Sequence, residues 1–354
     1  QRGRARGGPS GDGACAWTTG LAWALSLALV VGGGAGDLHA QSILGRVVDA
    51  ESDSPVVGAV VLLLDGAGDR LDAKLTAEDG SFGFVGPMGR PYRLRAEMIG
   101  RRGVELGPFT LDGDARHELR LPAEPIRLGG LDVTGEERCS VDPESARAVY
   151  TVWAEVEKAL RATEVTRSST THRYRIVEYD RWRERRSLDI VAESSNQRVV
   201  VGDERPFSSL PPDEIEAEGY VTIDGEEVWI YGPSAEVLLS PYFLRMHCFT
   251  LGRDSSRPGW ITLEFEPVDG HDVPELRGVL WIDETSAQLQ ALEFEYVNLP
   301  RELVRGDYTG SMQFRRLDDG GLIVNDWWLR SPHPMNRDRL REQAGSVLEV
   351  LPGR

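Results

Sequence analysis

Lysine is almost absent from this chain. Lys74 and Lys158 are its two lysines among 354 residues, and the rest of its 40 basic side chains are arginine, against 57 aspartates and glutamates. The formal net charge of -17 repels the phosphate backbone of nucleic acids and anionic lipid headgroups. The composition therefore argues against nucleic acid as a partner.

Long apolar runs are missing from everything but the amino-terminal segment. There, Leu21 to Val31 is apolar apart from Ser26, follows three arginines, and leads through a glycine-rich stretch to Leu38-His39-Ala40. Because this pattern is typical of a secretory signal, residues 1–40 are predicted to be a signal peptide. The run is too short to span a bilayer core of about 30 Å. We expect an exported protein, periplasmic or on the outer surface, with no transmembrane segment after signal removal.

Cysteine is scarce as well, with three residues in the chain. Cys15 precedes the apolar run, so a lipid anchor is not expected. The other two, Cys139 and Cys248, would meet an oxidising compartment after export, which favours a disulfide between them. Such a bridge closes a loop of about 110 residues and contributes roughly 4–5 kcal/mol in the chain-entropy model. The alternative is two separate buried thiols, and two free thiols in the unreduced native protein would contradict the bridge.

Short β-type runs recur about every ten residues after position 41, separated by Gly, Pro and Asp. Val60 to Leu64 is continuously apolar, as expected of a central strand covered on both faces. Phe82 and Phe84 fall on one face of the next strand, and the residues from Tyr92 to Met98 alternate between apolar and charged. This cadence predicts an antiparallel sandwich of about seven strands over residues 41–130.

The same residues carry a specific resemblance. The runs Ile43-Leu44-Gly45-Arg46-Val47-Val48-Asp49, Gly58-Ala59-Val60-Val61-Leu62, Thr76-Ala77-Glu78-Asp79-Gly80-Ser81-Phe82 and Pro91-Tyr92-Arg93-Leu94 resemble, in order and spacing, a carboxypeptidase-regulatory-like domain. The resemblance implies a transthyretin-like β-sandwich, a fold shared with carbohydrate-binding modules, and a place in the bacterial cell envelope. One departure is Gly89-Arg90-Pro91, where the family pattern has Gly directly before the Tyr, and it concerns the local turn.

The family name does not imply peptidase chemistry in this chain. A zinc carboxypeptidase needs His-x-x-Glu and a distant His, because Zn²⁺ takes three nitrogen or oxygen ligands and keeps one position open. None of the six histidines is followed by Glu three places later, and no His-Glu-x-x-His occurs. We therefore expect no metal, no cofactor and no catalytic residue. The chain is also too short for the plug and barrel of the receptors that share this domain.

A linker strand is predicted over 131–141 and a second domain over 142–335. Asp142-Pro143 is a good helix start, and one apolar stripe is formed by Ala146, Val149, Trp153, Val156 and Leu160. The helix should end near Thr163, with this stripe packed on a sheet. Alternating runs and turn signals follow, so we expect a curved antiparallel sheet packed on this one long helix. The polar, arginine-rich residues 336–354 are predicted to be a disordered tail.

The predicted fold class is therefore mainly β, with a seven-stranded transthyretin-like β-sandwich followed by a curved antiparallel sheet packed on one long helix. The layout of the second domain, together with Gly278-Val279-Leu280-Trp281-Ile282-Asp283, is similar to the half-barrels of periplasmic lipoprotein carriers. That similarity implies a groove beneath a curved sheet. Fold analogy alone does not establish a function.

Seven of the nine tryptophans lie in the second domain, and four of them are candidates for lining a groove. The candidate ligand groove consists of Trp229, Trp260, Trp281 and Trp328. Buried tryptophans more often belong to a core in which a neighbour accepts the indole N–H. Neither reading is decided by the sequence.

Three pairs of adjacent residues that could suggest a reactive site are interpreted as non-catalytic. His247 and Cys248 are adjacent strand residues that point to opposite faces, so this His cannot act as the base for this Cys. The acid pairs Asp318-Asp319 and Glu226-Glu227 lie in or beside turns and are expected to be solvated.

Three hypotheses for function follow. The first is a non-enzymatic envelope protein that binds or scaffolds a partner, peptide or lipid. The second is a carbohydrate-binding module, for which Tyr92 is the aromatic to test, and the third is a hydrolase with an unrecognised site in the second domain. Imidazoles and carboxylates that converge in an open cleft would contradict the non-catalytic reading.

Overall fold

The protein is described from a computed structural model that covers residues 40–123, 143–169, 171–202, 206–225, 227–303, 308–334, 336 and 338–353. The predicted signal peptide, apart from Ala40, and the predicted linker strand 131–141 lie outside these ranges. Strands make up 53% and helices 14% of the structure, which confirms the prediction of a mainly β fold. Within the described ranges, no helix combines the length and the apolar composition needed to span a bilayer.

The amino-terminal part of the described structure is the predicted seven-stranded sandwich. Its two sheets have the strand orders β4-β1-β7 and β3-β2-β5-β6. The strands are β1 (Ala40–Asp49), β2 (Val60–Asp65), β3 (Arg70–Leu75), β4 (Ser81–Pro87), β5 (Pro91–Glu97), β6 (Val104–Thr110) and β7 (Ala115–Leu121).

One pairing in the sandwich differs from the antiparallel prediction. Strands β1 and β7 run parallel, from Ile43 opposite Ala115 to Asp49 opposite Leu121. Strand β6 belongs to one sheet and β7 to the other, so their connection crosses between sheets and no hairpin dictates the direction of β7. The remaining pairs in the sandwich are antiparallel.

Strand β2 is buried on both faces, as its continuous apolar run predicted. Val61 and Leu63 belong to the core between the two sheets of the sandwich. Val60, Leu62 and Leu64 point the other way, into the core of the second half of the molecule. The outer face of the sandwich is therefore an internal surface of the whole molecule.

Helix α1 (Pro143–Ser168) covers that outer face. The helix begins at the predicted proline but continues past Thr163 to Ser168, and in that additional turn Val165 is buried and the Thr166 hydroxyl donates to the Ala162 carbonyl. Its buried residues lie on two sides rather than one stripe, and the predicted stripe member Ala146 is exposed. The fully buried or nearly buried positions include Val152, Trp153, Val156, Ala159, Leu160 and Val165.

The other side of α1 packs on a nine-stranded antiparallel sheet with the order β12-β13-β14-β15-β16-β17-β18-β8-β9. Bulges interrupt several of its pairings, for example between Trp281 and Ile282 and between Gln313 and Phe314, and bulges bend a sheet. The strands are β8 (His172–Glu184), β9 (Ile190–Val201), β12 (His247–Gly252), β13 (Trp260–Pro267), β14 (Glu275–Asp283), β15 (Leu289–Val297), β16 (Thr309–Arg316), β17 (Leu322–Pro332) and β18 (Arg339–Pro352).

Shorter elements lie between β9 and β12. A hairpin pairs Val221 with Ile230 and Asp224 with Glu227, and two short helices follow it. These elements are α2 (Pro212–Glu218), β10 (Val221–Asp224), β11 (Glu227–Ile230), α3 (Ala235–Leu238) and α4 (Pro241–Met246).

The prediction of a disordered tail over 336–354 is wrong, and with it the domain boundary at residue 335. Residues Arg339–Pro352 form β18, which lies inside the sheet between β17 and β8. Its polar side chains have partners on the neighbouring strands: Glu342 contacts Arg183 and Arg330, and Arg341 binds Asp180. Polar composition predicted disorder here because these cross-strand partners cannot be read from a local window.

The two halves also touch through a pair of glycines. A Cβ atom on Gly58 would lie 2.4 Å from the Cα of Gly320, and one on Gly320 would lie 2.5 Å from the Cα of Gly58. Both residues have positive φ angles, 70° and 85°, which favour glycine. The turn before β2 therefore packs directly on the turn between β16 and β17.

Candidate ligand cavity beneath helix α1

An apolar cavity of about 110 Å³ lies between the carboxyl-terminal half of α1 and the helix-facing side of the sheet. An engineered apolar cavity of roughly 150 Å³ stays dry and binds benzene, so this space suits a hydrocarbon group rather than water. Its apolar lining includes Leu160 of α1, Ile176 of β8, Val200 of β9, Met312 of β16 and Trp327 of β17.

Alternation along β8 and β9 places side chains in this cavity. Tyr174, Ile176 and Glu178 point to the same side of β8, and Val200 lies opposite Tyr174 on β9. Phe207 and the segment that starts α3 close the cavity from the loop side. The cavity therefore exists because a curved sheet and one helix leave a gap that no large side chain fills.

Charged side chains at the cavity wall are paired with each other. Glu164 binds Arg167 one turn along α1, at 2.7 Å. Glu178 accepts two hydrogen bonds from Arg198 across the β8–β9 pair, at 2.8 and 3.0 Å. The polar boundary of the cavity thus contains both signs of charge and does not favour an ionic ligand of one sign.

Tyr174 supplies the cavity with an uncommitted polar group. The residue is 7% exposed, and its hydroxyl has no hydrogen-bond partner among the described residues. Burial, and then the negative charge of Asp319, raise the pKa of Tyr174 to about 12, so the phenol stays protonated at neutral pH. A buried hydroxyl without a partner costs free energy.

His172 and Asp319 lie beside this phenol. The centroids of the His172 imidazole and the Tyr174 phenol ring are 6.2 Å apart, and His172 Nε2 is 3.1 Å from Asp319 Oδ2. Asp319 also accepts a hydrogen bond from the backbone N–H of Gly321. Asp319 lies in the predicted turn with a side chain that is 38% exposed, and its contact with His172 was not anticipated. Glu226 lies outside the described residues, and Glu227 is exposed as expected.

The four candidate tryptophans do not line this cavity, and the lining tryptophan is Trp327. Trp260 and Trp281 pack edge to face at 6.1 Å, and Trp281 is 6% exposed beneath the guanidinium of Arg257. Trp328 stacks with Arg330 on β17, which lies three strand spacings, or about 14 Å, from β14. Trp229 is exposed on β11. The predicted groove is not formed: Trp260, Trp281 and Trp328 lie on the face of the sheet away from α1, with Trp328 about 14 Å from the other two, and Trp229 belongs to the separate β10–β11 hairpin.

A second polar cluster is largely buried, with only His271 partly exposed among its members. Glu275 is fully buried, and its carboxylate accepts a hydrogen bond from the Tyr242 hydroxyl and lies 3.5 Å from ring nitrogens of both His247 and His271. Burial, and then the hydrogen bond to Glu275, raise the pKa of Tyr242 far above its ordinary value.

His247 is held by backbone as well as by Glu275. Its two ring nitrogens lie within hydrogen-bond distance of the Phe243 and Leu276 carbonyls, at 2.9 and 3.1 Å. Among the described residues, no three acidic, histidine or cysteine side chains are grouped so that they could hold a metal ion. Imidazoles and a carboxylate do converge here, but in the interior rather than in an open cleft, and the cluster anchors α4 to β12 and β14.

The two remaining candidates stand as follows. Cys248 is buried on β12, and Cys139 lies outside the described residues, so the Cys139–Cys248 disulfide stays a prediction. Tyr92 is 1% exposed and donates its hydroxyl to the Pro87 carbonyl, so it cannot present an aromatic face to a sugar. The choice of Tyr92 for a carbohydrate site is wrong.

The sequence reading missed Tyr174 and the cavity. The signal was present: His172, Tyr174, Ile176 and Glu178 alternate with Arg173, Arg175 and Val177 in the pattern of a strand that faces a core. What the alternation cannot show is that the helix above this strand leaves a gap.

Residues 42–122 match the family model described as a carboxypeptidase regulatory-like domain, which confirms the resemblance seen in the sequence. The match covers less than a quarter of the chain, so it defines the sandwich as a member of that family and leaves the helix and the nine-stranded sheet undefined. No curated protein sequence matches the chain.

Solved structures offer only distant similarity. The Bacillus anthracis TIE protein matches 46% of this chain at 12% identity with a TM-score of 0.20, and the chain spans 27% of the length of that protein. A DUF1329 family protein from Desulfovibrio piger matches 59% of this chain and 93% of its own at 10% identity and a TM-score of 0.27. A DUF3823 family protein from Bacteroides ovatus matches 70% of this chain and 92% of its own, at 11% identity and a TM-score of 0.20. Similarity at this level supports no argument about fold or function.

Proposed function

We propose that this chain is an exported, non-enzymatic protein of the cell envelope that binds a hydrocarbon chain in the cavity beneath α1. The observation that carries the proposal is a partly open, mainly apolar cavity between α1 and the sheet that the neighbouring side chains do not fill. Natural interiors are packed nearly as densely as organic crystals, so an apolar gap of this size between a helix and a sheet needs an explanation.

The size of the cavity indicates how much of a ligand it would take. Pockets that enclose a whole small-molecule ligand measure about 300–1,000 Å³. The cavity volume of about 110 Å³ suits one segment of an acyl or similar chain. The rest of the molecule would leave the cavity past the two Arg–Glu pairs, where a polar headgroup can remain in water.

Tyr174 supports a ligand that contains an oxygen atom. Its protonated hydroxyl is a donor with no described partner, so an ester, amide or carboxyl oxygen of the ligand could accept from it. The charge of Asp319 favours a neutral acceptor over an anionic one at this position. We therefore favour an esterified or amide-linked chain over a free fatty acid.

The non-enzymatic assignment is supported by the burial of the described cluster formed by Glu275, Tyr242, His247 and His271. A substrate cannot reach Glu275, which has no exposed surface. The carboxypeptidase regulatory-like sandwich would then act as a scaffold, because its outer face supports the helix that roofs the cavity.

The test is to fill the cavity and measure binding. Ala235 lines it at the start of α3, and Ala235→Phe would place a benzyl-sized group inside. With a fluorescent acyl ester as probe, we expect saturable binding to the wild-type protein and at least tenfold weaker binding to the variant. Ala146→Phe makes the same change at an exposed position of α1 and should bind like the wild type.

Binding and folding must be separated in this test. Ala235→Phe should keep a cooperative thermal transition, because it occupies existing space rather than displacing packed atoms. Equal probe affinity in the wild type and a folded Ala235→Phe variant would refute a ligand site in this cavity. Turnover of the acyl ester by the pure wild-type protein would refute the non-enzymatic assignment instead.

A further inference from the structure

Strand β9 is an open edge of the nine-stranded sheet. It pairs with β8 along one side, and in the described part of the chain no strand pairs with its other side. The strand is 12 residues long, and ten of its residues are exposed. The opposite edge, β12, differs because His247, Cys248 and Leu251 are buried there.

The composition of β9 does nothing to protect this edge. Soluble proteins usually blunt an exposed edge with lysine, proline, a short strand or an unpaired charge, because free N–H and C=O groups invite another strand. Strand β9 contains neither lysine nor proline. Its two charged residues are already neutralised by β8, Glu193 by Arg181 and Arg198 by Glu178.

Apolar side chains are exposed at the ends of the same strand. Val191, Val199 and Val201 are 46%, 47% and 52% exposed, and Ile190 is 47% exposed. A long edge strand with half-exposed β-branched residues and no net charge is a surface that favours pairing with another strand over remaining in water.

The geometry of a symmetric pair restricts the possible registers. Two copies that join antiparallel edge strands are related by a two-fold axis normal to the sheet, so opposed residues must point to the same face. Within 192–201, residues with even numbers face the cavity side, as Val200 does, and odd-numbered residues face the outside. Two opposed residues must therefore both have odd numbers or both have even numbers. The residue midway between them then lies opposite its own copy, so the two-fold axis passes beside a residue rather than between two residues.

We propose that β9 pairs with β9 of a second copy of this chain, antiparallel and centred on Ser195. Within the regular part of the strand, this register sets Glu193 opposite Gln197 and Ser194 opposite Asn196, so polar side chains meet polar ones, and Arg198 lies opposite Ala192 with no like charges opposed. A centre at Glu193 or Arg198 would oppose like charges. A centre at Asn196 would place Glu193 opposite Val199.

This pairing continues both sheets into one and satisfies the outward backbone groups of both edges. It is independent of the cavity, since the outer-face residues that meet across the axis do not line it. The second copy is favoured over an unrelated strand because centring on Ser195 opposes polar side chains to polar ones over residues 193–197 and opposes no like charges.

A single cysteine distinguishes the register directly. With the axis on Ser195, the two Ser195 Cα atoms face each other at about 4.5–5.5 Å, within reach of a disulfide. The two Ser194 Cα atoms would be about 8 Å apart, beyond that reach. We expect Ser195→Cys to give a covalent dimer on a non-reducing gel and Ser194→Cys, an equally exposed neighbour, to give none.

A charge placed at Gln197 tests the same contact without cross-linking. Gln197→Glu opposes Glu193 of the other copy with a like charge, and Gln197→Lys opposes it with an opposite charge. Each dimer contains two such contacts at about 0.2–1 kcal/mol each, so the dimer Kd should rise about 2- to 30-fold in the first variant and fall similarly in the second.

Sedimentation equilibrium of the mature chain measures these constants. A wild-type protein that stays monomeric up to its solubility limit overturns the proposal and leaves β9 to a different partner. Equal shifts in the same direction for Gln197→Glu and Gln197→Lys, or cross-linking at Ser194 rather than Ser195, would also overturn it.

Discussion

Single residues in this protein are held by partners that are far away in the chain, and Glu342 is the clearest case. Its carboxylate is 3% exposed and contacts Arg183 from β8 and Arg330 from β17. Burial pushes the pKa of Glu342 up, but the hydrogen bonds from Arg183 and Arg330 outweigh it and leave the pKa below its ordinary value of 4.5. The folded state therefore favours the ionised form.

Glu342→Gln should lower the free energy of unfolding by about 3–5 kcal/mol at pH 7, because it leaves buried guanidinium groups without their anion. Since the folded pKa lies below 4.5, the stabilisation is complete above pH 4.5 and is lost as the pH falls further. Denaturant titrations of both proteins across this range would measure the difference. The control is Glu349, which lies on β18 like Glu342 and forms an exposed ion pair with Arg175 of β8. Glu349→Gln should lower the free energy of unfolding by less than ~1 kcal/mol. Equal effects of the two substitutions would contradict this account.

Substitution of Tyr174 should raise the free energy of unfolding, whereas substitution of Glu342 lowers it. Tyr174→Phe removes a buried hydroxyl without a described partner, so the unliganded protein should become more stable by about 1–3 kcal/mol. The same change should weaken binding of an acyl ester, since the ligand oxygen loses its donor. Unfolding and probe titrations on one preparation would show both shifts. A loss of stability in the unliganded variant would mean that the hydroxyl has a partner in the native protein.

At the scale of elements, α1 is the component that joins the two halves. Glu155 is fully buried on this helix; its carboxylate accepts from the backbone N–H of Gly100 at 2.7 Å and pairs with Lys158 at 2.5 Å. Lys158 in turn donates to the Arg101 carbonyl at 2.7 Å. One of the two lysines in the chain thus connects the helix to a loop of the sandwich.

Lys158→Met should destabilise the protein by about 3–5 kcal/mol, because Glu155 remains buried without its cation. The double variant Glu155→Met with Lys158→Met should recover much of that loss, since neither charge is then left unpaired. Chemical denaturation of the wild type, the single variant and the double variant forms the required cycle. A double variant less stable than Lys158→Met alone would show that the pair stabilises the fold beyond neutralising itself.

At the scale of the whole molecule, the sandwich is not an independent unit. Val60, Leu62 and Leu64 are buried against α1 and the second core, although their strand belongs to the family-defined domain. The chain His39–Arg354 is accordingly one compact unit. A domain boundary drawn from the family match therefore cuts through a packed interface.

Expressed alone, residues 41–122 should expose this apolar face and aggregate or bind a hydrophobic dye. Leu62→Thr with Leu64→Thr should make the isolated piece soluble. In the full chain the same pair should lower the free energy of unfolding by several kcal/mol, because each leucine leaves a core. Light scattering and denaturation measure the two outcomes. A soluble, dye-free wild-type piece would show that the interface is dispensable.

Local patterns predicted what depends on local physics. The run Val60–Leu64 indicated a strand covered on both faces, and Asp142-Pro143 indicated the start of α1, because both signals lie within a few residues. Strand β18 was missed since Glu342 and Arg341 acquire partners only across strands. The four tryptophans were grouped by type, whereas their positions depend on strand order and face, which no window of sequence contains.

The position of β18 in the sheet determines when folding of the sheet can be completed. Its neighbours are β17 and β8, so the hairpin of β8 and β9 has no route into the sheet until residues up to Pro352 have been delivered. Assembly during synthesis or translocation would halt at two separate sheet fragments with bare edges, the species most prone to misassociation. If the chain is exported through a membrane, as we propose, its nine-stranded sheet is completed only after its last strand has crossed.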